Sequence, residues 1–410
     1  MPARRLKKIQ TKDLRVGMFV HDVRRKWFHH PWPHKSKLIN SISDIEQLKE
    51  FGIKEVTIDL AREVPAKKKA PEDEESAKQD QEINELQDRI GDEAKDQPES
   101  VPLEVELPRA RKTYLDALET TREFLADTRA GRKINVARVR DNVEEMIESA
   151  FRNRDASLAL IKLKTYDEYT LTHSLNVGVL AISMGCHINY PRGKIRQLGI
   201  GAIFHDLGKT KIPSKIINKK SQLTEEEFKT IKFHPVIGAQ ILEKTQDISN
   251  QSITIARHHH ERIDGTGYPD GLSGNQLDPF MIISGISDVY DALSSDRIYH
   301  SSILPHEALK SIFALRDIQF DQLWIERFIQ CLGIYPAGTL IRLNTGEVAV
   351  VLGVNRTSLL RPRVKLLFDS KSFPIPGHKI IDLNDKKHLN QEVVDVLDPK
   401  SLGLDLTRYL

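Results

Sequence analysis

From about Ala110 to Gly333 apolar residues return at helical intervals. Tyr114, Leu118, Thr121 and Leu125 share one face, and Val139, Val143, Met146 and Ile147 share another. Leu171, Leu175, Val179 and Ile182 predict a helix from Asp167 to His187. Leu198, Ala202 and His205 lie on one stripe of a second, from Lys194 to Leu207, and a third is expected from Met281 to Leu293. Breaks at Gly193, Gly208, Pro213, Pro235, Gly265 and Pro279 separate these helices. Beyond Gly333 the period changes. Thr339–Leu343, the turn Asn344-Thr345-Gly346 and Glu347–Leu352 predict a β-hairpin, and Val364–Phe368 a further strand. Near the N-terminus Met18–Val20 and Glu55–Ile58 read as strands, and Asp44–Phe51 as a short helix ending at Gly52.

Composition adds the boundaries. The chain has 410 residues, enough for two or three domains. From Glu63 to Glu106 it is Lys, Glu, Asp, Gln and Pro, with too few large apolar side chains to offset the entropy of ordering. We therefore expect a small α+β N-terminal domain (1–62), a charged flexible linker (63–106), a helical connector (107–165), a helical catalytic domain (166–333) and a β-rich C-terminal extension (334–410). The fold class is mainly α. The net charge of +3 singles out no DNA or RNA partner. Cys186 and Cys331 fall in apolar patterns and read as buried thiols of a reducing compartment. Neither a signal peptide nor a run long enough for membrane insertion is evident, so the chain reads as cytoplasmic. The aromatic run Trp27–His34 is unusual; its prolines make it irregular, and it reads as a packed aromatic loop, with binding of a metal or a base as the alternative.

The chemistry lies in the catalytic domain. His173, His205-Asp206, His234, His259-His260 and Asp288 are spread over consecutive predicted helices. Neutral imidazole and carboxylate are the ligands that borderline and hard divalent ions use. Taken singly, each has an ordinary reading as a core histidine, a helix end or a cap. Their conjunction, with Lys209 three residues beyond Asp206, predicts a centre of two or more ions and metal-assisted hydrolysis of a phosphate ester. On a helix, His205 and Asp206 would point about 100° apart and could straddle two ions. The loop Asp264–Pro269 is neither helix nor strand, and its glycines permit close approach of a ligand or partner backbone.

These residues carry a resemblance. Tyr169-Thr170 with His173-Ser174, then His205-Asp206-Leu207-Gly208-Lys209, His259-His260-Glu261 with Asp264-Gly265 and Gly267-Tyr268-Pro269, and Asp288–Leu293 together resemble an HD-GYP domain. That is the subgroup of HD phosphohydrolases that degrades cyclic di-GMP. The segment Thr11–Leu60, through Val16–Val20 and Trp27, resembles the small domain that often precedes it in bacteria. The resemblance implies an HD-type helical bundle with His173, His205, Asp206, His234, His259, His260 and Asp288 as metal ligands and Asp206 as the bridge. It implies that Lys209 and Arg297 contact phosphate. Gly267 and Tyr268 are further candidates for substrate contact, Tyr268 either stacking on guanine or packing as a buried turn aromatic.

Two positions depart from the pattern. Members with a third ion place a glutamate four residues before the first histidine. Here that residue is Tyr169, and Glu168 is one place off, so two ions are expected. Where members often carry Lys or Arg there is His300, which would make substrate grip weaker or pH-dependent. The O/N ligand set suits Fe or Mn, with Ni or Zn also compatible. The expectation is hydrolysis of cyclic di-GMP to linear pGpG, continuing slowly to GMP, by hydroxide held at the ions. The alternative is a weakly active or inactive sensor that binds cyclic di-GMP, or a diguanylate cyclase partner through the Gly-Tyr-Pro loop.

Overall fold

The computed structural model describes residues 6–15, 18–23, 37–39, 45, 48–49, 53–59, 82, 101–161, 169–219, 221–295, 303–377, 379–404, 406 and 409. Two compact units result, residues 1–83 with 219–224, and residues 84–218 with 225–410.

In the first unit, strands β1 (Leu6–Gln10), β2 (Phe19–Asp22), β3 (Lys37–Leu38) and β4 (Glu55–Asp59) form an antiparallel sheet in the order β1-β4-β2-β3. Val20, Val56 and Ile58 supply its apolar face, and Ile39, Leu48 and Ile53 close a core over them. The expected β2 and β4 are present, and β1 is an addition. Its sequence, Leu-Lys-Lys-Ile-Gln, has little apolar alternation, and it exists because β4 pairs with it along its whole length. Most of the helix expected at Asp44–Phe51 lies outside the described residues, although Ile45 and Leu48 are helical and buried.

The second unit is mostly helical. Its elements begin with α1 (Leu103–Arg129), α2 (Val136–Arg152), α3 (Arg154–Leu160), α4 (Tyr169–His187) and α5 (Arg192–Phe204). A 3₁₀ turn (Leu207–Lys211) follows, then α6 (Ser214–Ile217), α7 (Glu225–Lys232), α8 (His234–Glu243) and α9 (Asn250–His258). The helical part closes with α10 (Pro279–Ser294), α11 (Pro305–Phe313) and α12 (Gln322–Leu332). Local chemistry sets several boundaries. Asn135 caps α2 through a bond from Arg138 N, Ser249 caps α9 through Ser252 N, and Asp278 caps α10 through Phe280 N with Pro279 at the first helical position. The expected apolar stripe of α4 is buried: Leu171, Leu175, Val179 and Ile182 face the interior. Each such side chain contributes about 1.5–3 kcal/mol on burial.

The helical region starts earlier than the periodicity implied. Residues up to Glu106 were expected as linker, yet α1 begins at Leu103 and Glu106 is fully buried. Its carboxylate accepts from Arg152 Nε and Nη2 and from Ser149 Oγ, each at 2.8 Å. A charge-rich segment here buys its helix with a tertiary ion pair that no local pattern reveals.

At the C-terminus β5 (Leu340–Leu343), β6 (Val348–Gly353), β7 (Arg363–Phe368), β8 (Ile380–Asp382) and β9 (Val393–Leu397) form an antiparallel sheet, ordered β8-β7-β6-β5-β9. The predicted hairpin is β5–β6. Ile341, Leu343, Ala349, Val351, Val364 and Leu366 build its core. Both cysteines are buried free thiols.

Candidate metal centre

The seven residues expected as ligands come together. α4 supplies His173 and α10 supplies Asp288. The turn after α5 brings His205 and Asp206, the first residue of α8 is His234, and the end of α9 brings His259 and His260. All seven are buried. α5 ends at Phe204, short of the Leu207 expected, and His205 and Asp206 lie in the turn that follows. The following 3₁₀ turn packs so tightly on α8 that a Cβ at Gly208 would lie 1.9 Å from the His234 carbonyl oxygen. Only glycine lets the Asp206 turn sit against the His234 helix end.

Asp206 occupies the middle of the cluster. Its Oδ2 faces His205 Nε2 at 3.4 Å and His173 Nε2 at 3.7 Å. Its Oδ1 faces His234 Nε2 at 3.2 Å and His259 Nε2 at 3.8 Å. Asp288 lies 3.1 Å from His173 Nε2 through Oδ1, and 3.7 Å from His260 Nδ1 through Oδ2. Three ligand sets follow, Asp206 with His234, His259 and His260, Asp206 with His173 and His205, and Asp288 with His205 and His259, the atoms of each lying within 4.8 Å of one another. Asp206 belongs to the first two.

The histidines are oriented from behind. His205 Nδ1 lies 2.7 Å from the Ala202 carbonyl oxygen, His234 Nδ1 2.7 Å from that of Ile231, and His259 Nδ1 3.0 Å from that of Ala256. A carbonyl only accepts, so Nδ1 carries the proton in each ring and the Nε2 lone pair faces the cluster. Asp291, on α10, accepts from His173 Nδ1 at 2.8 Å and does the same for the fourth ring. Inside the cluster, His205 Nε2 and Asp206 Oδ1 are buried without a hydrogen bond. Leaving such atoms unsatisfied is costly, and cation ligation satisfies both. The donor set therefore fits divalent ions.

Titration behaviour agrees. Burial, then the charges of neighbouring imidazoles, holds His259 and His260 well below the usual histidine range, so both stay neutral. Burial opposes ionisation of Asp206, but Lys209 and His205 hold its carboxyl well below the usual range. Asp288 is held down likewise, against burial, chiefly by His173. Burial would lower His173, but the carboxylates of Asp288 and Asp291 raise it to about 9. A proton and a cation thus compete for its Nε2.

Lys209 Nζ donates to Asp206 Oδ2 at 2.5 Å. That bond sets a cation against the central carboxylate. The glycine-rich loop folds back onto the centre. A Cβ at Gly267 would fall 2.4 Å from Glu261 Cα, and Tyr268 N donates to the His260 carbonyl at 3.3 Å. The Tyr268 ring lies 4.7 Å from that of His260, with Lys232 Nζ 4.5 Å from its centroid. Tyr268 is thus a wall of the centre, engaged by an imidazole and an ammonium. Arg297, His300, Glu168, the Tyr169 side chain and Trp27–His34 lie outside the described residues.

Three contributors were missed. Asp291 lies three residues beyond Asp288 on α10, and that spacing was the available signal. Glu261 was quoted in the motif without a role. It is buried and accepts from Asp270 N at 2.7 Å, Gly271 N at 3.1 Å and Leu272 N at 3.0 Å, which fixes the exit of the loop. Lys232 carried no sequence signal.

A helical bundle that gathers a His-Asp pair with histidines from three other segments has the HD arrangement, and the HD domain model matches residues 144–322. A domain of unknown function matches residues 6–139, and a KOW domain associated with the HD domain matches 340–404. The chain is 36% identical over 380 residues to a cyclic di-GMP phosphodiesterase of Pseudomonas aeruginosa, covering 92% of this chain and 89% of that one. It is 27% identical over 252 residues to the cyclic di-GMP phosphodiesterase PdeB of Borreliella burgdorferi, covering 58% of this chain and 64% of the other. An HDG"Y"P protein from Bdellovibrio bacteriovorus has a TM-score of 0.46 at 18% identity, covering 79% of this chain and 98% of its own. The chain belongs to the HD-GYP family of cyclic di-GMP phosphodiesterases within the HD phosphohydrolases. No helix among the described residues is long and apolar enough to cross a membrane.

Proposed function

We propose that this protein hydrolyses cyclic di-GMP to linear pGpG at a two-ion centre formed by His173, His205, Asp206, His234, His259, His260 and Asp288. The observation that carries the reading is the position of Asp206, whose two oxygens face two different sets of histidines. A carboxylate so placed suits a bridge. His173 and His205 would hold one ion, and His234, His259 and His260 the other, with Asp288 beside the first. When bound, divalent ions supply a water nucleophile near neutral pH and neutralise charge on the phosphate oxygens.

The chain's own groups do the rest. Backbone carbonyls and Asp291 keep the Nε2 lone pairs inward. Lys209 brings a cation to the edge of the cluster, where it can pass from Asp206 to a phosphate oxygen through a charge-assisted bond. Tyr268 and the loop pinned by Glu261 close one side. Relatives named as cyclic di-GMP phosphodiesterases support the substrate. Iron or manganese suits the O/N donors best.

The test is incubation of the metal-stripped chain with cyclic di-GMP before and after anaerobic loading with Mn²⁺ or Fe²⁺, with products separated by chromatography. pGpG is expected only after loading. Equal turnover by stripped and loaded chains, or an intact substrate in both, overturns the reading.

A further inference from the structure

The Asp291 carboxylate that orients His173 is itself held. Asn176 Nδ2, on α4, donates to Asp291 Oδ1 at 2.9 Å, and Ser295 Oγ donates to the same oxygen at 3.0 Å. Asn176 Oδ1 in turn accepts from the Tyr114 hydroxyl at 2.8 Å. Tyr114 is on α1. An unbroken chain of buried bonds therefore runs Tyr114–Asn176–Asp291–His173 and ends on a candidate ligand. Every link has a fixed direction. His173 Nδ1–H and the Asn176 amide group can only donate to the carboxylate, so the Asn176 carbonyl must turn toward the tyrosine. Burial, with the nearby Asp291 charge, pushes the Tyr114 phenol well above its ordinary value, so it keeps its proton and stays a donor.

α1 touches the site's other side as well. Lys211, two residues past Lys209, donates to the carbonyl of Thr128 at 2.6 Å and approaches that of Arg129 at 3.4 Å, at the C-terminal end of α1. The match to a domain of unknown function takes in α1, and the HD match begins beyond it. By its contacts, however, α1 belongs to the helical unit.

We propose that Tyr114 is a positioning residue for the metal centre: through Asn176 it fixes Asp291, and Asp291 fixes the tautomer and ring orientation of His173. The proposal rests on the reading of the cluster as a metal centre and extends its supporting shell onto α1. Groups that orient a ligand from behind typically change metal affinity about 10–100-fold when altered. Tyr114 acts two residues further out, so a smaller effect is expected.

The test is Mn²⁺ affinity of the metal-stripped full chain, measured by competition with a chromogenic chelator. Asp291→Asn should weaken binding about 10–100-fold, and Tyr114→Phe about 3–10-fold. In the double variant Tyr114→Phe should add nothing, because the relay is already cut. Phe124→Leu is the control for a merely loosened α1. Phe124 packs edge-on against Phe204 at 4.7 Å and has no part in the relay, so it should lower thermal stability and leave affinity unchanged. Wild-type affinity in Tyr114→Phe, additive losses in the double variant, or an equal loss in Phe124→Leu would overturn the relay while leaving the metal centre standing. A wild-type chain that takes up no Mn²⁺, Fe²⁺ or Zn²⁺ would overturn both.

Discussion

Two buried carboxylates in the helical unit invite comparison. Asp155, at the start of α3, accepts from Arg356 Nη2 at 2.7 Å through Oδ1 and from Val354 N at 2.9 Å through Oδ2. Both side chains of that ion pair are almost completely buried. Asp206 is buried to the same degree, yet its Oδ1 has no hydrogen bond and the imidazole nitrogens around it turn lone pairs inward. Asp155 is finished by the chain, and it ties α3 to the loop after β6. Asp206 is finished by the chain only on the Lys209 side. Burial and charge are common to both, so neither marks function by itself. What separates them is whether the protein supplies every partner. Glu106 and Glu261 fall with Asp155, since chain donors reach both of their oxygens.

The contrast can be broken experimentally. The largest effect is expected from Asp206→Ala, which removes the shared ligand and should abolish both turnover and metal retention while the helical fold survives. Circular dichroism with elemental analysis checks this, and activity within a few-fold of wild type would refute the metal mechanism. Asp155→Ala should do the reverse. It breaks the buried pair with Arg356, at a cost of about 3–5 kcal/mol of stability, and should leave metal content intact. Denaturant unfolding beside elemental analysis separates the two outcomes. Lys209→Ala should keep its metals and lose about a hundredfold in kcat, the cost of one charge-assisted contact at a preorganised site. Loss of the metals would instead make Lys209 part of the structure of the centre.

The effect most remote from the centre concerns pH. Burial, then the charges of Arg154, Arg356 and Arg327, lowers His187 to about 3. An unfolded histidine titrates near 6.5. Between those values the unfolded chain binds a proton that the folded chain refuses. Stability therefore falls as pH drops from about 6.5 toward 3, by up to about 1.4 kcal/mol per pH unit, and His187 contributes no pH dependence above that window. His187→Gln should flatten the acid limb of an unfolding-versus-pH curve. An unchanged slope would show that His187 is protonated in the folded protein.

Much of this was legible in the sequence, and the reasons are physical. Helical periodicity located α1, α2, α4 and α5 because each buries a continuous apolar face. Most of the candidate ligands could be picked out because they sit at or near helix ends, in motifs whose glycines and prolines mark the turns, while Asp288 lies inside α10. The hairpin β5–β6 followed from its period and its Asn-Thr-Gly turn. What stayed hidden depends on contacts distant in sequence. α1 begins among charges because Glu106 meets Arg152, and β1 exists because β4 pairs with it. The turn after α5 is held by the close approach of Gly208 to His234, a contact between segments distant in sequence. Asp291 and Tyr114 gain roles only when α1, α4 and α10 are brought together.

A bridging role for Asp206 requires two ions, so the number of ions per chain decides it. Wild-type protein and Asp206→Ala would be stripped, reloaded anaerobically with Mn²⁺ or Fe²⁺, freed of excess metal and analysed by inorganic mass spectrometry against protein concentration. The account predicts about two ions per wild-type chain and none retained by the variant. Three ions in the wild type, or an unchanged count in Asp206→Ala, would contradict it.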